Sequence, residues 1–102
     1  MIARFWRGWT TPENAAPYKK ILRIRILPGI HRVNGYRGAY LLRRDFEKEV
    51  EFATLAFFDS LEAIRAFAGP DYQTAVVPPE ARKLLSRFDQ KSLHYEMATR
   101  IE

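Results

Sequence analysis

The sequence predicts an α+β domain in which an antiparallel sheet carries its helices on one face. Three observations predict it. Strand-like and helix-like segments succeed one another in the order β-α-β-β-α-(α)-β. The length of 102 residues suits one small domain. A content of 47% hydrophobic and 14% aromatic residues is that of a chain that packs a core, not of a disordered one.

Residues 2 to 9, Ile-Ala-Arg-Phe-Trp-Arg-Gly-Trp, have the aromatic and apolar content of a first strand. Thr11-Pro12 or Asn14 can cap the next element, and Pro17 is most at home in a first turn, so the helix is expected to start near Asn14. Tyr18, Ile21, Leu22, Arg25 and Ile26 fall at helical spacing, although Leu22 to Ile26 also alternates like a strand. Pro28-Gly29 ends this element. Residues 36 to 44 and 49 to 58 flank a polar turn and read as a hairpin. Asp59 with Glu62 forms a capping-box pattern before the stripe Leu61, Ile64, Phe67 and Ala68, which Gly69-Pro70 stops. Pro78-Pro79 opens a further short helix with Ala81, Leu84, Leu85 and Phe88 on one side. Residues 92 to 99 alternate as a closing strand, Leu93, Tyr95 and Met97 opposite His94 and Glu96.

This order is the split βαβ pattern of a ferredoxin-like βαββαβ sandwich spanning residues 1 to 102. Helices on one face leave the other bare, yet the third strand is apolar on both. Phe52, Ala56 and Phe58 lie on one side, Ala53, Leu55 and Phe57 on the other. An aromatic sheet face left open calls for a partner surface, and the simplest is a second copy, which makes a homodimer the expected state.

Composition excludes several classes of chemistry. The chain has no Cys, which removes disulfides, thiolate nucleophiles and Cys-ligated metal centres. Neither His94 nor the loop residue His31 has neighbours at the spacing of a catalytic zinc site, so no metal is expected. No apolar run approaches the ~20 residues of a membrane helix and the first residues lack the pattern of a secretory leader, so no membrane association and a cytoplasmic location are expected. The net charge of +5 invites a nucleic-acid reading. However, residues 1 to 44 carry ten Lys or Arg against one acid, and residues 45 to 102 carry seven against eleven. The halves are complementary, and Arg43 and Arg44 are placed for cross-strand ion pairs with the glutamates after the hairpin turn.

The opening Ile-Ala-Arg-Phe-Trp-Arg-Gly, the helix containing Tyr18, Arg37-Gly38-Ala39-Tyr40, Ser60 to Gly69 and the closing His94-Tyr95-Glu96 resemble the antibiotic biosynthesis monooxygenase type of dimeric α/β-barrel domain along nearly the whole chain. The resemblance implies a pocket between sheet and helices and one of two chemistries. One branch oxidises polycyclic phenols with O₂ and no cofactor, holding the substrate anion with Asn, Trp, Tyr and Arg side chains. The other degrades haem, with an Asn on the first strand, a Trp on the second helix and a His near that helix's end. In this chain the Trp position is Phe67, the His position is Val77, and residues 2 to 9 contain no Asn. Haem iron needs an axial donor, so haem degradation is not expected, and no cofactor is.

The cofactor-free chemistry needs groups that hold a phenol and its anion beside an apolar space. Trp6, and with it Trp9, can stack on an aromatic substrate. Tyr40 and Tyr72 can donate hydrogen bonds, and Arg4 or Arg7 can hold an oxyanion. The same side chains suit core and interface packing. His94 and Glu96, two apart on one strand face, form a minimal acid/base pair. The expected function is oxidation of an aromatic phenol or quinol by O₂, or else ligand binding by a non-catalytic dimer. An RNA-recognition reading is disfavoured. Arg37-Gly38-Ala39-Tyr40-Leu41-Leu42 resembles that family's aromatic run, but on the wrong strand and with Ala39 where an aromatic belongs.

Overall fold

The computed structural model describes residues 1–30 and 32–102, so the expectation for His31 lies outside the described residues. Strand β1 (Ile2–Thr10) runs through the middle of the sheet, because both of its edges are paired. On one side it is antiparallel to β3 (Val50–Phe58), from Ile2 opposite Phe58 to Thr10 opposite Val50. β3 in turn pairs with the edge strand β2 (Tyr36–Asp45). On its other side β1 pairs with β4 (Leu85–Phe88) near its end and with β5 (Leu93–Glu96) near its start. The sheet is therefore five-stranded and antiparallel, with its helices on one face, as the expected α+β ferredoxin-like architecture requires.

The register sorts the side chains. Ile2, Arg4, Trp6 and Gly8 share a face with Phe58, Ala56, Thr54 and Phe52, because directly opposed residues point the same way. Over this inner face lie α1 (Pro12–Ile21), a π-helical turn (Leu22–Ile26) that runs into α2 (Leu27–Ile30), α3 (Leu61–Ala68) and the short α4 (Pro79–Arg82). Two buried clusters form there. Tyr18 and Leu22 close on Val50 and Phe52 at one end, while Ile30, Ala63 and Ile64 close on Ala56 and Phe58 at the other.

Four local expectations are corrected. Helix α1 starts at Pro12, capped by Thr11, whose hydroxyl accepts from the Asn14 amide at 3.3 Å. Pro17 sits inside the helix on its exposed face, where the carbonyl it frees can turn to water. Ser60, not Asp59, caps α3, accepting from the Ala63 amide at 3.2 Å. Asp59 is drawn instead to Arg37, whose Nε donates to it at 2.7 Å. The expected helix after Pro78-Pro79 ends at Arg82, and Leu85–Phe88 becomes a strand because β1 has an unpaired edge there that only strand hydrogen bonds satisfy. Last, Glu49 and Arg43 each take a partner that is not on the other's strand. Glu49 accepts from Arg87 Nη2 at 2.6 Å across to β4, and Arg43 pairs with Asp45 on its own strand at 2.7 Å.

Candidate functional site

Between the two buried clusters the helices stand off the sheet and leave a cavity of about 320 Å³. Its floor is sheet: Arg4 and Trp6 of β1, Ala39 and Leu41 of β2, and Thr54, Ala56 and Phe58 of β3. Its roof is Tyr18, Leu22, Ile26 and Ile30, spaced along the chain at intervals of four. In an ordinary α-helix each such interval turns the side chain by about 40°, so four residues would drift off one face. The π-helical turn from Leu22 to Ile26 winds more slowly and keeps them over the cavity. Phe67, Val76, Val77, Pro78, Ala81 and Ser92 close the remaining walls.

Trp6 is held edge and face. Its Nε1 donates to the Asp89 carbonyl at 2.7 Å, and its ring meets Phe88 at 6.1 Å between centroids. The ring also lies across Gly8, where an added Cβ would come within 2.8 Å of the indole. Glycine at position 8 is what lets the indole lie against the sheet.

Arg4 is the one cation among the described residues that line the cavity, and it is 6% exposed. Its guanidinium donates to the Tyr72 carbonyl at 2.6 Å and the Thr74 carbonyl at 3.4 Å, and Nη1 lies 2.9 Å from His94 Nε2. One side is covered by the Phe67 ring, 5.5 Å away. Among the described residues its partners are two carbonyls, one imidazole and one ring, none of them a carboxylate. Burial accordingly lowers the Arg4 pKa from its ordinary value. Because a guanidinium has only donors, the Arg4–His94 contact requires His94 Nε2 to accept and its proton to sit on Nδ1. Burial first, and Arg4 second, hold the His94 pKa below its usual value.

The other sequence-predicted residues divide. Tyr72, His94 and Glu96 line a second, more open hollow with Lys91 and Gln73, and Arg4, in the cavity wall, bonds to the Tyr72 carbonyl and the His94 ring of that hollow. Tyr72 meets His94 edge-on at 5.1 Å. Tyr40 borders the cavity through its strand position, but its ring packs on the opposite sheet face, edge-on to Phe57 at 6.3 Å. Arg7 and Trp9 also belong to that face. Arg7 Nε pairs with Asp89 at 3.0 Å, and Trp9 is stacked under Arg87 at 3.9 Å. The structure therefore brings Arg4 and Trp6 together in the cavity. It adds two phenols, Tyr18 and Tyr36, that the sequence showed only as helix spacing and strand content. Burial raises the pKa of both, so they stand as neutral donors.

The donor set does not fit haem iron. Phe67 and Val77 do lie in the cavity wall, and neither can ligate. Among the described residues that line it there is no imidazole, thiolate or thioether, and the two phenols resist ionisation.

An antiparallel α+β sandwich of this strand order, with a cavity left between sheet and helices, is one class of ferredoxin-like domain. Within that class the chain has the antibiotic biosynthesis monooxygenase fold. SnoaB, a cofactor-independent oxygenase from Streptomyces nogalater, superposes with a TM-score of 0.66 at 20% identity, covering 98% of this chain and 96% of that one. The haem-degrader MhuD from Mycobacterium tuberculosis, with two haems bound in its active site, gives 0.65 at 18% identity and 100% of both chains. The ActVA-Orf6 monooxygenase of Streptomyces coelicolor, in complex with nanaomycin D, gives 0.65 at 13% identity, covering 99% and 90%. These identities establish the fold alone. No protein-family model matches the chain, and no curated protein matches it.

Proposed function

We propose that the cavity binds a small planar aromatic phenol or quinol as its anion and that the chain oxidises it with O₂ without a cofactor. The observation that carries this reading is Arg4, a buried guanidinium at the wall of a mostly apolar cavity with no carboxylate partner among the described residues. A buried charge without a counter-ion is costly, and an anionic ligand supplies one. Trp6 offers the ring a flat surface, and the Arg4 field favours the ionised phenol, so the phenol gives its proton to bulk water as it binds and no base in the wall is required. An electron-rich C–H carbon then bonds to O₂: the one para to the phenolate in a phenol, and the one ortho to it in a quinol, whose para carbon already carries oxygen. Loss of water from the hydroperoxide leaves the quinone, one oxygen atom entering the product and the other leaving as water. SnoaB supports the chemistry, and the ligands held by MhuD and ActVA-Orf6 support the capacity of the fold.

Oxygen uptake with a hydroxylated anthrone or a naphthoquinol tests the reading. Turnover abolished in Arg4→Met and reduced in Trp6→Phe is the expected result. Ligand binding without oxygen uptake would instead assign the non-catalytic reading. Two copies are proposed to pair through the outer sheet face.

A further inference from the structure

His94 lies behind Arg4, with one ring nitrogen engaged by the guanidinium and the ring lining the open hollow. We propose that His94 is the positioning residue of Arg4 and that seating an anion on Arg4 draws a proton onto His94. This rests on the reading of Arg4 as an anion seat.

Without ligand, the neutral Nε2 is one of the acceptors that hold the guanidinium against the wall, and a protonated imidazole would face Arg4 as a second cation at 2.9 Å. The groups around His94 set the balance. From β1 comes Arg4, which opposes protonation. From the segment after α3 comes the Tyr72 ring, with Arg65 on it at 5.2 Å. From the same hollow come Lys91, which opposes the proton, and Glu96, two residues along the same strand face, which favours it. An anion seated on Arg4 neutralises the nearest opposing charge and gives the guanidinium a better acceptor than an imidazole. Nε2 is then released from Arg4 and, since Nδ1 already carries a proton, is the atom that takes up the new one, drawn from solvent through the hollow where Glu96 shares the strand face. By linkage, binding takes up between zero and one proton, and affinity rises as pH falls.

The probe is 1-naphthoate, whose carboxylate stays ionised over about pH 5 to 8, where a histidine titrates. Calorimetry at one pH in buffers of different ionisation enthalpy counts the protons taken up. At full coupling Kd rises about tenfold per pH unit through the window. In His94→Gln, which keeps an acceptor for Arg4, this pH dependence should vanish. In the unaltered protein, NMR titration of its two histidines should show the His94 pKa rising on ligand addition, a readout that needs no variant to fold. If 1-naphthoate binds, and Arg4→Met abolishes that binding, yet no proton is taken up and Kd is flat with pH, the coupling is wrong and the anion seat stands. If 1-naphthoate binds no better than neutral 1-naphthamide, or equally well to Arg4→Met, the anion seat fails and the coupling with it.

Discussion

At the scale of single residues, the cavity depends on two groups placed by opposite means. Trp6 is placed by what is missing beside it. A methyl at Gly8 would meet the indole at 2.8 Å and Leu85 at 3.0 Å. Gly8→Ala should therefore cost about 1 to 3 kcal/mol in denaturant unfolding and shift the tryptophan emission, as overpacking does. Arg4 is placed by acceptors, and one of them titrates. Because the folded His94 pKa lies below its ordinary 6.5, the unfolded chain takes up the proton first. The His94 contribution to stability is thus fully present above the unfolded value. It is lost as pH falls from there through the lowered folded value. Thermal unfolding across that range should show the loss, and His94→Gln should flatten it. Arg4 and Trp6 were legible as candidates because a cation and an indole alternate with other residues on one strand, and strand alternation assigns faces without further information. The partner of His94 was not. Glu96 is its neighbour in sequence, whereas Arg4 reaches it only through the pairing of β1 with β5, and pairing between distant strands leaves no local trace.

At the scale of elements, strands β1 to β3 and helix α3 were readable because each has one dominant periodicity between clear breakers. The C-terminal region misled for a physical reason. Leu84, Leu85 and Phe88 satisfy helical spacing, but the open edge of β1 outweighs that local preference. The roof carries the same lesson. Leu22, Ile24 and Ile26 alternate like a strand, and the feature that matters is the four-residue interval from Tyr18 to Ile30, which is neither strand nor ideal helix. Ser60 supplies a test of the corrected α3 boundary. Its hydroxyl caps the Ala63 amide, so Ser60→Ala should destabilise the fold by about 1 kcal/mol in chemical denaturation. Asp59→Asn leaves that cap in place and removes only an exposed ion pair with Arg37, so its effect should be smaller.

At the scale of the whole molecule, the helices cover one sheet face and leave the other to an unmatched apolar surface; no described helix is long and apolar enough to cross a membrane. On that outer face Phe5, Leu55 and Phe57 are only partly covered, and Tyr40 and Tyr95 remain 64% and 57% exposed. Toward the other end of β1 the face changes character. Arg7 with Asp89, and Arg87 with Glu49, form ion pairs there, and both arginines cover Trp9. An apolar half bordered by a self-neutralised charged half suits a two-fold interface, in which the same patch meets itself and no charge is buried unpaired. Covering one large apolar side chain is worth about 1.5 to 3 kcal/mol, and in a two-fold pair each contributes twice, so several suffice to overcome the entropy of association. Sedimentation equilibrium at micromolar concentration should return twice the chain mass of 12.0 kDa. Leu42→Asp, on the outer face opposite Ala53, should shift the equilibrium strongly to monomer. Ile24→Asp supplies the contrast, because Ile24 is comparably exposed but lies in the helical layer, away from the outer face. Dissociation by Leu42→Asp with Ile24→Asp still paired locates the contact on the sheet. A monomer in the unaltered protein, or equal dissociation by both variants, would rule that contact out.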